Sequence, residues 1–550
     1  MSHAVLFPLL FIFQVMWFLT PGLYSALWLA RKRQVTHMYI VPVAGVLSCL
    51  YAYGAFWLFF INHSLGLAYS VAVGFTGLFL LIRLLVDKSL RKLVSGVNVA
   101  LPLALWCFGA FFYSSATFAC RVTPLATQSD QFCYVHQVTF DNILPKIFAD
   151  NVYNGHPKAL MGDWQASDRP PLQSGASLLE APLTESSRTN ATSYQLLAVF
   201  LQVLWIPAVW VLGRKLGLSG GQLAAVLILC FSSGFFFFNS VFVWPKLLAG
   251  ALASIGFCLL LFEKASLARW SLASAAMALA LLAHGGVVFA LPPLMILLLT
   301  KRFFPGWRIV SVSLASALVL FMPWMAYQHF YDPPGNRLMK WSLAGDTKVD
   351  SLGFGQALQQ AYTQAGITGS AENKLSNTTT LFYAPNGQNQ AYGQGRIGVA
   401  RDTELRFTFF GLGLLNLGWL GLFMPSFRKR IRQSKINVPR LKIVLGIAVA
   451  SLAFWVLIMF GPGTTIVQSA SYLTMLLLFS GLSALVTLFP RSLLHSLLTL
   501  KVAYFILIWI LAVYLHHFIG RLYVLYELLA LAGITYCLLL TTKHKFTDKS

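Results

Sequence analysis

Apolar runs separated by short polar breaks repeat along the whole chain. They fall at about 4–30, 39–61, 65–86, 98–119, 194–212, 222–239, 245–262, 271–283, 286–300, 309–330, 407–424, 443–460, 470–488, 502–516 and 522–541. A helix of about 20 apolar residues crosses a hydrocarbon core about 30 Å thick. The pattern therefore predicts thirteen to fifteen membrane-spanning helices, with 271–300 readable as a hairpin of two short ones. Composition agrees: 57% of the 550 residues are hydrophobic and 10% charged, far from the roughly 25% charged residues of a soluble domain. The first run has no basic stretch before it and no small-residue cleavage site after it, so we expect a retained span rather than a signal peptide.

Charge orients the spans. Short loops with RKR at 31–33, KSLRK at 88–92, KRFFPGWR at 301–308 and RKRIRQSK at 428–435 alternate with loops of mixed charge. One face holds 25 basic and 3 acidic residues; the other holds 14 basic and 13 acidic, with Arg83 and Glu527 inside spans. This is the positive-inside pattern. It predicts a bacterial inner or plasma membrane protein with an extracytoplasmic N-terminus and a cytoplasmic C-terminus. The formal charge of +23 is spread over short loops between apolar runs, which argues for membrane lipids as partners and against nucleic acid.

Two long polar segments interrupt the spans on the acidic side, 120–193 and 331–406. They divide the chain into N-terminal spans (1–97), a membrane core with the first loop (98–330), the second loop (331–406) and C-terminal spans (407–550). In the first loop, Phe140, Ile143, Leu144, Ile147 and Phe148 stand at helical spacing in FDNILPKIFADNVYNG. They predict a helix lying along the membrane interface with Asp141 at the water boundary. Pro170-Pro171 predicts an extended turn after Asp168-Arg169. The Gly/Gln/Asn-rich end of the second loop predicts flexibility. Cys120 and Cys133 have the spacing for a short-loop disulfide, with two free thiols the alternative, and no zinc-type Cys/His spacing occurs. The sequons at Asn62, Asn190 and Asn377 do not fix the organism.

Loop carboxylates stand out in so apolar a chain. A transfer reaction outside the cytoplasm has no nucleotide donor, so a lipid-linked phosphate is the natural leaving group. Such chemistry needs a carboxylate to take the acceptor's proton and cations to steady the departing phosphate. Asp141 suits the first task, and Arg169, Lys246, Arg337 and Lys340 the second. Lys246 at the head of an apolar run is the sharpest of these, because a charge there is costly unless used. Asp168 and His284 could shape the site or hold a divalent metal ion. Plainer roles exist for each: a loop Asp as a cap, Lys246 snorkelling to the interface, His284 as a hydrogen-bonded structural residue. His516-His517, Arg521 and Glu527 read as structural, with Glu527 pairing to Arg521 or to a neighbouring helix.

Asp141-Asn142, the helix after it and Asp168-Arg169-Pro170-Pro171-Leu172 together resemble the first loop of GT-C membrane glycosyltransferases. The likeness is closest to the protein O-mannosyltransferase and aminoarabinose (lipid A) transferase group, and AHGGVVFALPPLMILLL resembles a downstream span of that family. The resemblance covers roughly 98–330. It implies an all-α polytopic GT-C bundle with two extracytoplasmic loops. It also implies inverting transfer from a polyprenyl-phosphate sugar to a lipid, glycan or protein acceptor, with Asp141 acting on the acceptor and Arg169 at the donor phosphate. The sequence departs from the family where Asn142 replaces a second acid, His284 a lysine, and three spans precede the family's first. Two other classes share this topology: a transporter or flippase of lipid-linked saccharides, and an oligosaccharide polymerase or ligase.

Overall fold

The computed structural model describes residues 3–119, 140–158, 160, 162, 164–184, 190–382, 395–469, 472–517, 520–544 and 546. Cys120 and Cys133 lie outside them, as do the side chains of His516 and His517. Every regular element among the described residues is helical. Among the described residues nine helices are long and apolar enough to cross a membrane, including Val5–Arg31, His37–Ile61, His63–Val86, Ala191–Lys215 and Trp307–Tyr331. Two further helix pairs are apolar enough when taken together but bend at a short break: Gly220–Phe231 with Gly234–Val241 by 59°, and Thr408–Gly421 with Pro425–Gln433 by 92°. Shorter apolar helices fill the remaining expected runs: Lys246–Phe262, Leu267–Ala283, Gly285–Leu298 and Tyr472–Val486. The protein is a multi-pass helical membrane protein.

Apolarity sorts the helices into core and rim. Lys246–Phe262 and Tyr472–Val486 are buried on all sides, which fits helices apolar around their whole circumference. His63–Val86 and Trp307–Tyr331 instead expose Phe75, Ile82, Val319 and Met322, a surface that only lipid would solvate. The helices ending at Ile61 and starting at His63 are joined by Asn62 alone, whose side chain accepts from the Leu65 amide at 3.2 Å as an N-cap.

The first loop folds inward. Helix Leu144–Tyr153 buries Leu144, Phe148, Ala149 and Val152, and Phe148 meets Phe56, Trp324 and Tyr327. The expected interfacial helix therefore turns its apolar side to other helices rather than lying on the bilayer. The Pro170-Pro171 turn leads into a buried helix, Leu172–Leu179. It packs so closely on Ile40–Ile61 that a Cβ on Gly175 would stand 2.3 Å from the Ala52 carbonyl oxygen. The N-terminal spans also bind the end of this helix. Trp17 Nε1 donates to the Leu179 carbonyl at 3.1 Å, Ser70 Oγ to that of Leu178 at 3.2 Å, and Gln14 Nε2 to Glu180 Oε2 at 2.8 Å. They supply the partners that a helix C-terminus lacks.

The second loop is only partly a loop. It contains a 27-residue helix, Phe354–Thr380, kinked at Gly366. Near that helix's end Asn377 is fully buried, donating to the Met459 carbonyl at 3.0 Å and accepting from the Thr464 amide at 2.9 Å. Helix Gly395–Arg406 is exposed at Arg396, Ile397 and Val399 but turns inward toward its end. Its Glu404 is buried, accepting from the Gly234 amide and from Trp509 Nε1 at 2.9 Å each and pairing with Lys501 at 3.3 Å. Lys501, which directly precedes the expected apolar run 502–516, lies inside helix Arg491–Phe505. Hydropathy misplaced both because a buried ion pair reads as two polar positions.

Candidate active site

The described part of the first loop starts at the 3-10 turn Phe140–Asn142. There Asp141 Oδ1 accepts from Arg169 at 2.7 Å, with side chains 17% and 10% exposed. The two residues predicted to work together thus meet, and neither faces open solvent. Arg169 is placed by the turn Ala166–Asp168, which is held at its start by the Gln165 amide donating to Asp168 Oδ2 at 3.2 Å. Asp168 also pairs with Arg337 at 3.5 Å and is buried. Burial pushes its carboxyl above the ordinary value, with the Gln165 amide, Arg337 and Arg169 pulling it back down and Asp332 adding to the rise. Asp168 is therefore a cap and a guanidinium anchor for Arg337, while Asp141 holds Arg169.

The second loop closes onto the first. Arg337 lies 4.5 Å from the centre of the Trp164 ring and Arg169 4.3 Å from it, so one indole is in contact with both guanidinium groups. The Ser167 amide donates to Asp332 at 2.7 Å, Gln165 Nε2 to the Pro333 carbonyl at 2.9 Å, and Gln328 Nε2 to the Ser167 carbonyl at 2.9 Å. Lys340 does not join this group. It is fully buried against its own loop, 2.6 Å from Asp350 and 3.6 Å from Asp346, and its contact holds the Asp350 carboxyl below its usual range.

Lys246 approaches from the membrane side. It is 2% exposed, with its ammonium 3.1 Å from the Trp244 ring centre and 5.9 Å from that of Tyr472. Among the described residues no carboxylate lies within ion-pairing distance of it. Asp141 and Arg169 are within Coulombic reach of Lys246, and Lys246 and Arg169 within reach of His284. His284 stands edge-on to Trp244 at 5.8 Å and its Nδ1 accepts from the Gly286 amide at 3.0 Å, capping the 3-10 turn that starts at Gly285. No group of three His, Cys, Asp or Glu that could hold a metal occurs among the described residues, and Asp168 and His284 are occupied in these other ways. Glu527, in the last span, pairs with the Tyr514 hydroxyl of the neighbouring helix and not with Arg521.

A chain of buried amides ties the loop to the spans beneath. The Tyr194 hydroxyl donates to the Asn142 carbonyl at 2.7 Å and accepts from Gln173 Nε2 at 2.8 Å. Gln173 Nε2 also donates to the Val243 carbonyl at 2.8 Å, Gln202 Nε2 donates to Gln173 Oε1 at 2.9 Å, and the Leu248 amide donates to Gln202 Oε1 at 2.9 Å. Asp141 is thereby fixed against the segment carrying Trp244 and Lys246. That segment is strained: Val243 has φ of 55°, costly for a β-branched residue and frequent at functional sites. Sequence reasoning missed Trp164, Gln173, Tyr194, Gln202, Trp244 and Asp332. Signals existed: a glutamine in an apolar run, and a second Asp before Pro-Pro at Asp332-Pro333-Pro334.

No family model, curated protein or solved structure matches this chain.

Proposed function

We propose that the protein is a GT-C-type inverting glycosyltransferase that moves a sugar from a polyprenyl-phosphate donor to an acceptor on the extracytoplasmic face. The observation that supports this best is the Asp141–Arg169 pair together with a buried Lys246 that has aromatic contacts and, among the described residues, no carboxylate within ion-pairing distance. In the proposed step an acceptor hydroxyl attacks the anomeric carbon. Its proton passes to Asp141, the carbon–oxygen bond to phosphate breaks, and the electron pair leaves with the lipid phosphate. Lys246 and Arg169 receive the phosphate charge in a water-poor site, where such attraction is strongest. Asp168 and Arg337 act as positioning groups around Trp164. Lys340 holds the second loop together, and a metal at Asp168 and His284 is no part of the step.

The test is to incubate purified protein with radiolabelled polyprenyl-phosphate sugars and membrane extract. Label transfer that falls about 100-fold or more in Asp141→Asn, as for loss of a general base, is the expected result; unchanged transfer by a folded variant would remove Asp141 from the mechanism. The bent span Gly220–Val241 and the π-helical turn Ile506–Leu511 beside the Glu404–Lys501 pair favour a second reading, a flippase, because interrupted helices are common in transporters. Movement of labelled lipid across proteoliposomes without covalent transfer would select it.

A further inference from the structure

The sequence has no carboxylate between Glu404 and Glu527, yet it places Arg428, Lys429, Arg430, Arg432 and Lys435 within eight positions. The structure puts the first four on helix Pro425–Gln433, turned 92° from the segment Thr408–Gly421 before it. One side of this elbow is fastened to the protein. Phe427 and Ile431 are buried, and the Phe427 ring lies 5.0 Å from that of Phe489. Arg428 Nε donates to the Leu422 carbonyl at 2.6 Å, and Arg430 to that of Leu488 at 3.5 Å.

The other side faces outward. Lys429, Arg432 and Lys435 are exposed and engage no carboxylate or carbonyl among the described residues. Beside them Leu420, Phe423 and Met424 are 61%, 75% and 54% exposed. Apolar side chains at the mouth of a perpendicular helix, next to uncompensated cations, match the two layers of a lipid interface: acyl boundary below, anionic headgroups above.

We infer that the Phe423–Lys435 elbow is a binding site for anionic phospholipid headgroups. Phe423 and Met424 enter the acyl boundary while Lys429, Arg432 and Lys435 hold the phosphates. The same chemistry holds in either leaflet and does not depend on the transferase reading. An acidic protein would leave Phe423 and Met424 in water, so lipid is the occupant favoured.

The test reconstitutes the full chain in nanodiscs of phosphatidylcholine mixed with phosphatidylglycerol, extracts it into uncharged detergent, and counts retained lipids by mass spectrometry. Wild type is expected to keep phosphatidylglycerol in preference. In Lys429→Gln/Arg432→Gln/Lys435→Gln that preference is expected to fall about tenfold or more at low salt. It is expected to persist in Lys301→Gln/Arg302→Gln/Arg308→Gln, which removes cations from another basic loop. Unaltered melting and elution of both variants show that they fold; Lys429→Gln alone serves as a milder variant with an intermediate loss. Equal retention of the two lipids by wild type, or an equal loss in both triple variants, would overturn the assignment.

Discussion

Lys246 allows stability and binding to be separated by sign. Replacing it with methionine keeps most of the side chain's length and apolar bulk and removes the ammonium group. An uncompensated buried ion costs several kcal/mol even after relaxation. Against that stands the attraction of the Trp244 ring at 3.1 Å, about 2 kcal/mol when desolvated. The difference leaves the ligand-free Lys246→Met protein more stable than wild type by about 1–3 kcal/mol. Binding should move the opposite way. A charge-assisted contact to a phosphate oxygen contributes about 1.5–3 kcal/mol, so the variant should hold a polyprenyl phosphate about 10- to 150-fold more weakly. Thermal unfolding in detergent, with and without added polyprenyl phosphate, reads both effects in one experiment. A variant that melts below wild type, or that gains as much protection from the lipid phosphate, refutes the assignment of Lys246 to an anion.

Other consequences follow from named contacts. Gly175→Ala should cost about 1–3 kcal/mol or more, because its Cβ would meet the Ala52 carbonyl oxygen at 2.3 Å and backbone cannot step aside; a melting temperature equal to wild type would contradict the close packing. Burial raises the Glu180 carboxyl well above its ordinary value, with Gln14 pulling it down. The folded state therefore holds a proton that the unfolded state releases, and stability is lost as pH rises from the usual glutamate range through the raised value. Glu180→Gln should then melt above wild type at pH 8 and equal to it near pH 4, and a gap that widens on acidification would reverse the sign. Trp164→Ala should lower transfer by more than its lowered melting temperature would suggest, since it removes the ring in contact with both Arg169 and Arg337; equal transfer rates would show the stack to be idle.

Much of the fold was legible because a membrane imposes a length. Every expected apolar run is helical, although 222–239 and 407–424 are each broken into shorter pieces, and Asn62 marks the tight return between two of them. The Asp141–Arg169 pair was also within reach, since both residues lie in one loop where acids and bases are scarce. What hydropathy could not see was partnership across the chain. It assigned Lys340 to a phosphate although Asp346 and Asp350 stand six and ten residues on. It left residues 395–406 outside although Glu404 ends beside Gly234 and Lys501. It read Asp168 as chemistry, whereas burial and the Gln165 amide make it a cap. Neighbours distant in sequence decide these roles, and no local period encodes them.

The amide relay from Asn142 through Tyr194, Gln173 and Gln202 to Leu248 welds an aqueous strip of polypeptide to a greasy one. Chimeras that exchange either strip alone would inherit a mismatched half, however faithful the swapped segment. Grafting this centre onto another scaffold calls for residues 140–262 to travel together.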